Sequence, residues 1–262
     1  MTIITLTTDL GASSAQAGAL YGVIWKISPG AQIVDLTHEL SPGDILSGQV
    51  VLENALPYFP EGTIHMAAAA PLQDQSIRVI AAQLGTIFFV GPDNGLITPL
   101  LEQAETDRQT IEIYEAFYPT VGSGSKAAAM HTACAALAAQ LANGVQPESL
   151  GKRVNNPQRA NLPEPAMLTA GWRGQVVQVD HFGNLTTNIR PAHLDGMGKV
   201  KIVIAQQEIR GISKTFGDGK PGDLIALIDS SNRLSICVVN GNAAEYLNAK
   251  AGDFVEVKPA GK

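Results

Sequence analysis

The stretch Ile3-Ile4-Thr5-Leu6-Thr7-Thr8-Asp9-Leu10-Gly11 decides the fold class of this 262-residue chain. Its apolar first part predicts a strand over Ile3–Thr7, which ends in the polar turn Thr8-Asp9-Leu10-Gly11. The residues from Ala15 to Ile27 follow with helical spacing, because their larger apolar side chains fall on one face. A strand that leads into such a helix is the opening unit of an α/β sheet.

The same alternation continues through the first part of the chain. It predicts further strands at 31–35, 62–68, 77–83 and 86–90, and helices at 44–56 and 126–143. The pattern therefore predicts an N-terminal three-layer α/β domain with a mainly parallel sheet over residues 1–151. Ligands of such sheets gather at the C-terminal ends of strands, where Asp9 and the turn Ala70-Pro71 lie.

The rest of the chain has a different character. Residues 152–171 hold several asparagines and prolines and few apolar residues, which predicts a linker. Beyond it, short apolar strands are separated by glycines. This pattern predicts a smaller C-terminal all-β barrel domain over residues 172–262.

Composition narrows the class of protein and its partners. The chain is 45% hydrophobic and 16% charged, as in soluble globular proteins, and its net charge of −6 comes without any basic block. Nucleic acid is therefore excluded as an expected partner, and no apolar stretch is long enough to span a membrane. The N-terminus lacks the positive charge of a signal peptide, and Cys134 and Cys237 show no motif spacing. We expect a cytoplasmic protein.

The run Asp180-His181-Phe182-Gly183-Asn184-Leu185-Thr186-Thr187-Asn188 concentrates polar groups at a predicted strand end. A glycine there lets the backbone approach a ligand closely, and Phe182 offers a flat face for an aromatic ring. Asp and Asn also form hydrogen-bonded turns by themselves. From residue chemistry alone, the run is either a ligand-binding loop or a capped β-turn.

The other reactive residues give no recognisable catalytic motif. The segment Gly122-Ser123-Gly124-Ser125 lacks the spacing of a nucleophile elbow, and no glycine-rich phosphate loop is present. The five histidines have no second His or Cys at metal-ligand spacing, so we expect no metal and no cofactor. His65 is interpreted as a satisfied core histidine, and Asp35 and His38 as a local structural pair.

Several motifs together resemble one family, the S-adenosylmethionine (SAM) hydroxide adenosyltransferases, which are relatives of the fluorinating and chlorinating adenosyl enzymes. The similarity runs from about residue 3 to residue 257. It is carried by Thr7-Thr8-Asp9-Leu10-Gly11, Val34-Asp35-Leu36-Thr37-His38, Tyr58-Phe59-Pro60-Glu61-Gly62-Thr63, Val90-Gly91-Pro92-Asp93-Asn94-Gly95-Leu96 and Asp180 to Ile189.

The resemblance implies a fold, an assembly and a reaction. It implies an α/β domain followed by a β-barrel, and a homotrimer that holds the nucleoside between the N-terminal domain of one subunit and the C-terminal domain of the next. In this family, water or halide attacks the ribose C5′ and methionine leaves from the sulfonium, without a metal. Because the neutral thioether is a good leaving group, the enzyme need only position and desolvate the nucleophile.

Part of the family's ligand site is retained. By resemblance, Asp9 anchors the ribose hydroxyls, Asp180 and Asn184 hold the ends of methionine, Phe182 lies between them, and Ser230 belongs to the adenine-side loop. Asp9 also has a purely structural interpretation as a helix N-cap at the strand–helix turn.

The water-activating part of the family site is not retained. The family's Asp, Arg and His fall on Ala70, Ile77 and Ala129, and two family residues near the first motif become Ser14 and Gln16. These replacements leave no base where the family has one.

Asp74, Arg78 and His131 are the nearby substitutes. Arg78 is one residue from its family position on a strand, so it is expected to point to the opposite face. His131 is rotated by about 200° from Ala129 on a helix and is expected to face elsewhere as well. Asp74 lies in a loop and is not constrained in this way. Although His131 is expected to face elsewhere, its imidazole is a possible base, and His131 and Asp74 are kept as the candidate catalytic residues.

Three functions are compatible with these residues. The first is hydrolysis of SAM to adenosine and methionine by a non-standard arrangement. The second is binding of an adenosyl ligand or another small metabolite without turnover. The third is an apolar pocket, lined by Ala67 to Ala70 and Ala127 to Ala129, that accepts a different ligand.

Overall fold

The apolar stretch that opens the chain forms strand β1 (Ile3–Thr8), and helix α1 (Ala15–Ile27) follows it as predicted. The computed structural model describes residues 2–69, 78–117 and 126–260. It divides into two units, Met1–Asn161 and Leu162–Lys262.

The first unit contains a seven-stranded mixed sheet, which adds to β1 the strands β2 (Gln32–Thr37), β3 (Ile64–Ala68), β4 (Val79–Leu84), β5 (Ile87–Pro92), β6 (Ile111–Ala116) and β7 (Gly151–Arg153). Their order in the sheet is β2-β1-β3-β5-β4-β6-β7. Strands β2, β1, β3 and β5 are parallel, whereas β5, β4, β6 and β7 pair antiparallel. The prediction of a mainly parallel sheet therefore holds for only half of the pairings. The reason is the two-residue connection between β4 and β5, which is too short for the crossover that parallel strands need.

Helices cover both faces of this sheet. Leu20 and Ile24 of α1 and Leu137 of α4 (Lys126–Ala142) pack on one face in a single apolar cluster. Leu52 of α2 (Ile45–Ala55) and Leu100 of α3 (Thr98–Thr106) pack on the other. The three-layer α/β class is thus confirmed.

The segment predicted as a linker, 152–171, is divided between the two units. Val154 is buried in the first unit's apolar cluster, and the backbone N–H of Gln158 donates to Asp93 Oδ1 at 2.7 Å. Further along, strand β8 (Ala166–Leu168) pairs with β9 of the second unit. Buried side chains of the first unit, such as that of Asp93, satisfy backbone groups of the segment.

The second unit is an antiparallel, nearly closed barrel-like sheet in the order β12-β11-β15-β9-β10-β14-β13. The two ends of this sheet approach each other, since Ser213, just after β12, donates its N–H to Ala226 O of β13 at 2.7 Å. The predicted all-β barrel is confirmed. Its elements are β9 (Gly171–Val179), β10 (Leu185–Thr187), β11 (Val200–Ile204), β12 (Gln207–Arg210), β13 (Leu224–Ile228), β14 (Leu234–Val238), helix α5 (Ala243–Leu247) and β15 (Phe254–Pro259).

Among residues 2–69, 78–117 and 126–260, no helix combines the length and hydropathy that a membrane crossing requires.

Candidate functional site

Asp9 lies at the C-terminal end of β1, beside the ends of the parallel strands β2 and β3. Its side chain is only 7% exposed. The N–H of Gly43 donates to Asp9 Oδ2 at 3.2 Å, and His131 Nε2 lies 2.9 Å from Asp9 Oδ1. The carboxylate is therefore held through both oxygens by groups far away in sequence.

The alternative that Asp9 caps α1 is excluded. The N-cap of that helix is Ser14, whose hydroxyl accepts a hydrogen bond from the Gln16 N–H at 3.1 Å. Asp9 is thus available for a role other than starting this helix, whereas Ser14 has a structural one.

His131 reaches the site from α4, and the expectation that it faces elsewhere is wrong. Its Nε2 lies 3.0 Å from the carbonyl oxygen of Ala68 at the end of β3, in addition to its contact with Asp9. Ala129 points to the other side of α4, where it lines a cavity of about 400 Å³ together with Val23 and Ile27 of α1. The angular difference between the two positions was right, but the side of the helix assigned to each was reversed.

Next to Asp9, a hydrogen-bond network joins β1, β2 and α1, and it runs from the buried Thr8 and His38 to the exposed Asp35. Thr8 Oγ1 lies 2.7 Å from His38 Nδ1, and His38 Nε2 lies 3.1 Å from Asp35 Oδ1, so the predicted Asp35–His38 pair is confirmed. The Tyr21 hydroxyl donates to Asp35. Burial, that hydrogen bond and the charge of Asp35 together raise the pKa of Tyr21 to about 12. This network holds Thr8 in place immediately before Asp9.

The apolar pocket considered from the sequence does not form as predicted, because of its described members only Ala129 lines a cavity, the one beside α1. Ala67 and Ala69 are fully buried in the apolar cluster on the α2–α3 face, while Ala68 is buried in the cluster on the opposite face. Ala70, Asp74 and Ile77, as well as the side chains of Ala127 and Ala128, lie outside the described residues.

Arg78 has a structural role. Its Nε donates to Asp93 Oδ2 at 2.6 Å, and its Nη2 donates to the carbonyl oxygen of Asn156 at 3.1 Å. Asp93 is buried, so this ion pair compensates the charge of a carboxylate that has little access to water.

In the second unit, the Asp180 run forms a tightly bonded turn. Asp180 Oδ1 accepts from the N–H groups of Phe182 at 2.9 Å and Asn184 at 2.8 Å, and Oδ2 accepts from Asn184 Nδ2 at 2.8 Å. The Phe182 ring projects outward and is 72% exposed. The capped-turn interpretation is thus correct, and the turn presents an aromatic face and a fixed amide to its surroundings.

Two further polar residues of the second unit lie between β13 and β14. Ser230 is exposed in the hairpin between β13 and β14. Its neighbour Asp229 accepts hydrogen bonds from the hydroxyls of Ser231, Ser235 and Thr186. The sequence reasoning missed Asp229, although an Asp followed by two serines at a hairpin was a usable signal.

Neither cysteine is suited to nucleophilic chemistry. Cys134 and Cys237 are buried, and burial raises the pKa of each thiol to about 12. Both are therefore protonated at neutral pH. Within residues 2–69, 78–117 and 126–260, no group of three or more His, Cys, Asp or Glu side chains could hold a metal ion.

Comparison with known proteins identifies relatives of both units. Residues 4–151 match the model of the SAM hydroxide adenosyltransferase N-terminal domain, and residues 174–256 match that of the C-terminal domain.

Similar proteins cover nearly the whole chain. A protein of Salinispora tropica named (R)-S-adenosyl-L-methionine hydrolase is 31% identical over 258 residues, which are 97% of each chain. A fluorinase of Actinoplanes sp. is 26% identical over 299 residues and 98% of each chain. The crystal structure of an uncharacterized conserved protein from Thermotoga maritima superposes with a TM-score of 0.83 at 28% identity, covering 97% of this chain and 99% of that one.

Proposed function

This chain belongs to the SAM hydroxide adenosyltransferase family, and we propose that it binds SAM and hydrolyses it to adenosine and methionine. The observation that carries the proposal is the carboxylate of Asp9, held at the C-terminal end of β1 by Gly43 and His131. An oriented carboxylate is a suitable acceptor for the two hydroxyls of a ribose. Relatives named as SAM hydrolases support the reaction.

The proposed reaction mainly requires that the protein position SAM and the attacking water. The oxygen of water forms a bond to C5′, the C5′–sulfur bond breaks, and its electron pair remains on methionine as a neutral thioether. One proton of the water is released. Holding the ribose through its diol places C5′ at a defined distance from the attacking water, and such positioning accelerates a displacement.

By resemblance, we propose that the C-terminal unit of a neighbouring subunit supplies the other end of the site. We assign the ends of methionine to Asp180 and Asn184, with Phe182 between them and Ser230 on the adenine side. The hydrogen bond from Asn184 Nδ2 to Asp180 fixes the orientation of the Asn184 amide. As the resemblance implies, we propose a homotrimer that works without metal or cofactor. A cytoplasmic location suits its two free, buried cysteines.

A second function, binding without turnover, is favoured by one specific observation. His131 is a candidate base beside Asp9, yet its Nε2 also faces the carbonyl oxygen of Ala68. A nitrogen in that position donates a hydrogen bond and does not accept a proton from water.

The experiment that decides between the two functions is incubation of the purified full chain with SAM, followed by chromatography. Hydrolysis predicts adenosine and methionine in equal amounts. Asp9→Ala should lower kcat/KM by about 100-fold, since two hydrogen bonds to a charged group are lost. Asp107→Ala, the same change at an exposed position of the first unit, should leave kcat/KM unchanged.

The two functions differ in the readout that they predict. If no adenosine is released above the level of Asp9→Ala, even at high enzyme concentration, hydrolysis is excluded. Calorimetric titration of the same sample with SAM and adenosine then shows whether the site binds without turnover or does not bind these ligands.

A further inference from the structure

We propose that His131 is a positioning residue that orients the carboxylate of Asp9 toward the ribose diol, and that it is not the base that activates water. The inference rests on the proposed adenosyl site. It adds to that function a residue whose role follows from the geometry of this chain.

The hydrogen on His131 Nε2 follows from its two neighbours. Nε2 lies 2.9 Å from Asp9 Oδ1 and 3.0 Å from Ala68 O, and a carbonyl oxygen only accepts hydrogen bonds. If Nε2 carried a lone pair instead, it would face two electron-rich oxygens at hydrogen-bond distance. The stable arrangement therefore has Nε2–H shared between Asp9 and Ala68.

The two hydrogen bonds hold the Asp9 carboxylate from opposite structural elements. His131 on α4 donates to Oδ1, and Gly43, just before α2, donates to Oδ2. A carboxylate accepts about four hydrogen bonds, so these two do not by themselves preclude two more from a diol. The pair thereby sets the plane of the carboxylate.

Burial makes this arrangement effective. The side chains of His131 and Asp9 are 5% and 7% exposed, so water competes little for their hydrogen bond. A charge-assisted hydrogen bond in such surroundings is stronger than one at the surface. Loss of the donor should therefore affect Asp9 directly, and the ligand through Asp9.

Two substitutions by side chains of similar length distinguish the effect of losing the hydrogen-bond donor from the effect of changing the side-chain shape. His131→Gln keeps an N–H at the position of Nε2, whereas His131→Met fills the same space without a donor. Each full-length variant is titrated calorimetrically with adenosine and with 2′,3′-dideoxyadenosine, and its folding is checked by thermal melting.

A positioning role predicts a loss that depends on the diol. His131→Met should bind adenosine about tenfold more weakly than the unchanged protein, while its affinity for 2′,3′-dideoxyadenosine stays the same. His131→Gln should recover most of the adenosine affinity. An equal loss for both nucleosides, or no loss for either, would overturn the proposal.

Kinetics on SAM provide a second, independent readout. Through Asp9, His131→Met should raise KM more than it lowers kcat, and His131→Gln should restore KM. If His131 is a base, both variants will instead lower kcat while adenosine affinity is unchanged, which contradicts the proposal.

A ligand-free measurement keeps this inference distinct from the proposed function. Long-range ¹H–¹⁵N NMR of the unliganded protein should show a proton on His131 Nε2, with a shift that changes in Asp9→Asn. An unprotonated Nε2 would overturn the role of His131 whether or not ligands bind. A protonated Nε2 in a protein that binds neither SAM nor adenosine would contradict the proposed adenosyl function, and with it the role of Asp9 as acceptor for a ribose diol. His131 would still be the residue that orients Asp9.

Discussion

His65 shows at the scale of one residue how burial changes chemistry. It has no solvent exposure on β3, its Nδ1 lies 2.9 Å from Thr5 Oγ1, and its ring meets that of Phe59 edge to face. Within the part of the chain that the structure describes, Nε2 has no hydrogen-bond partner. The interpretation as a core histidine is correct, but the residue is satisfied at only one nitrogen. Burial lowers the pKa of His65 to about 4.

This pKa predicts a loss of stability in mild acid. The folded pKa lies below the ordinary value, so the unfolded chain binds the proton more readily. The free energy of unfolding therefore keeps this contribution in full above about pH 6.5. It falls by an amount on the order of 3 kcal/mol as the pH drops toward 4. Urea unfolding of the full chain between pH 7.5 and 4.5 measures this slope.

Two variants make the His65 prediction specific. His65→Leu should be less stable at neutral pH, because Thr5 loses its partner, but its free energy of unfolding should fall less between pH 6.5 and 4.5. His181→Gln, a change at an exposed histidine, should keep the slope of the unchanged protein. Equal slopes for the unchanged protein and His65→Leu would show that His65 is not the group responsible.

At the scale of an element, the turn after β9 depends on Gly183. Its φ of +81° is in the left-handed region, and an added Cβ would lie 1.9 Å from Asn242 Oδ1, the N-cap of α5. The carbonyl oxygen of Gly183 also accepts from the Ala244 N–H at 2.9 Å. Gly183 therefore allows the Asp180 turn to pack closely against the N-terminus of α5 and to form a backbone hydrogen bond with it.

Gly183→Ala should destabilise the protein through both backbone strain and overlap. We expect a loss of about 2–4 kcal/mol, measured by urea unfolding, and weaker SAM binding because the turn shifts. Gly196→Ala is the matched control, since its φ is +77° but nothing lies within 4 Å of its Cβ. Gly196→Ala should cost only about 1 kcal/mol. Similar losses for the two variants would mean that the contact with Asn242 contributes nothing.

The elements themselves were largely predictable, because burial imposes a periodicity on the sequence. Helix α1 and strand β1 follow directly from the spacing of their apolar residues. Helix α3 escaped prediction, since it is short and few of its residues are apolar. The antiparallel half of the sheet was readable from the connection Gly85-Thr86, where the two-residue length requires a hairpin.

The candidate site was harder to predict, because it is assembled from distant parts of the chain. Asp9 meets Gly43 over 34 residues of separation and His131 over 122. Contacts between residues so far apart cannot be predicted from the spacing of residues in a single sequence. On α4, each residue turns the side chain by about 100°, and the helical period alone does not fix which side of the helix meets the sheet, so the faces of Ala129 and His131 were assigned the wrong way round. The strand end of β1 was predictable, but its partners were not.

At the scale of the whole molecule, the proposed trimer determines whether one chain holds a complete site. Sedimentation should give a mass three times the 27.5 kDa of one chain. The resemblance assigns Asp9 and Asp180 of one site to different subunits. In a closed ring of three, each subunit then contributes to two sites, and mutations in different chains are separable.

Subunit complementation tests this arrangement. Asp9→Ala and Asp180→Ala are each expected to weaken SAM binding below the level that calorimetry detects, the first by removing the diol acceptor and the second by releasing the turn that Asp180 holds. In trimers assembled by co-expression in equal amounts, a shared site is intact when its Asp9 comes from one variant and its Asp180 from the other. Random assembly makes about a quarter of the sites intact, so calorimetry should find about a quarter of the normal SAM stoichiometry. If each chain forms its own site, every site carries one substitution and no binding returns, whatever the oligomeric state. A mixture of Asp9→Ala with unchanged chain is the control, and it should retain about half of the sites under either arrangement.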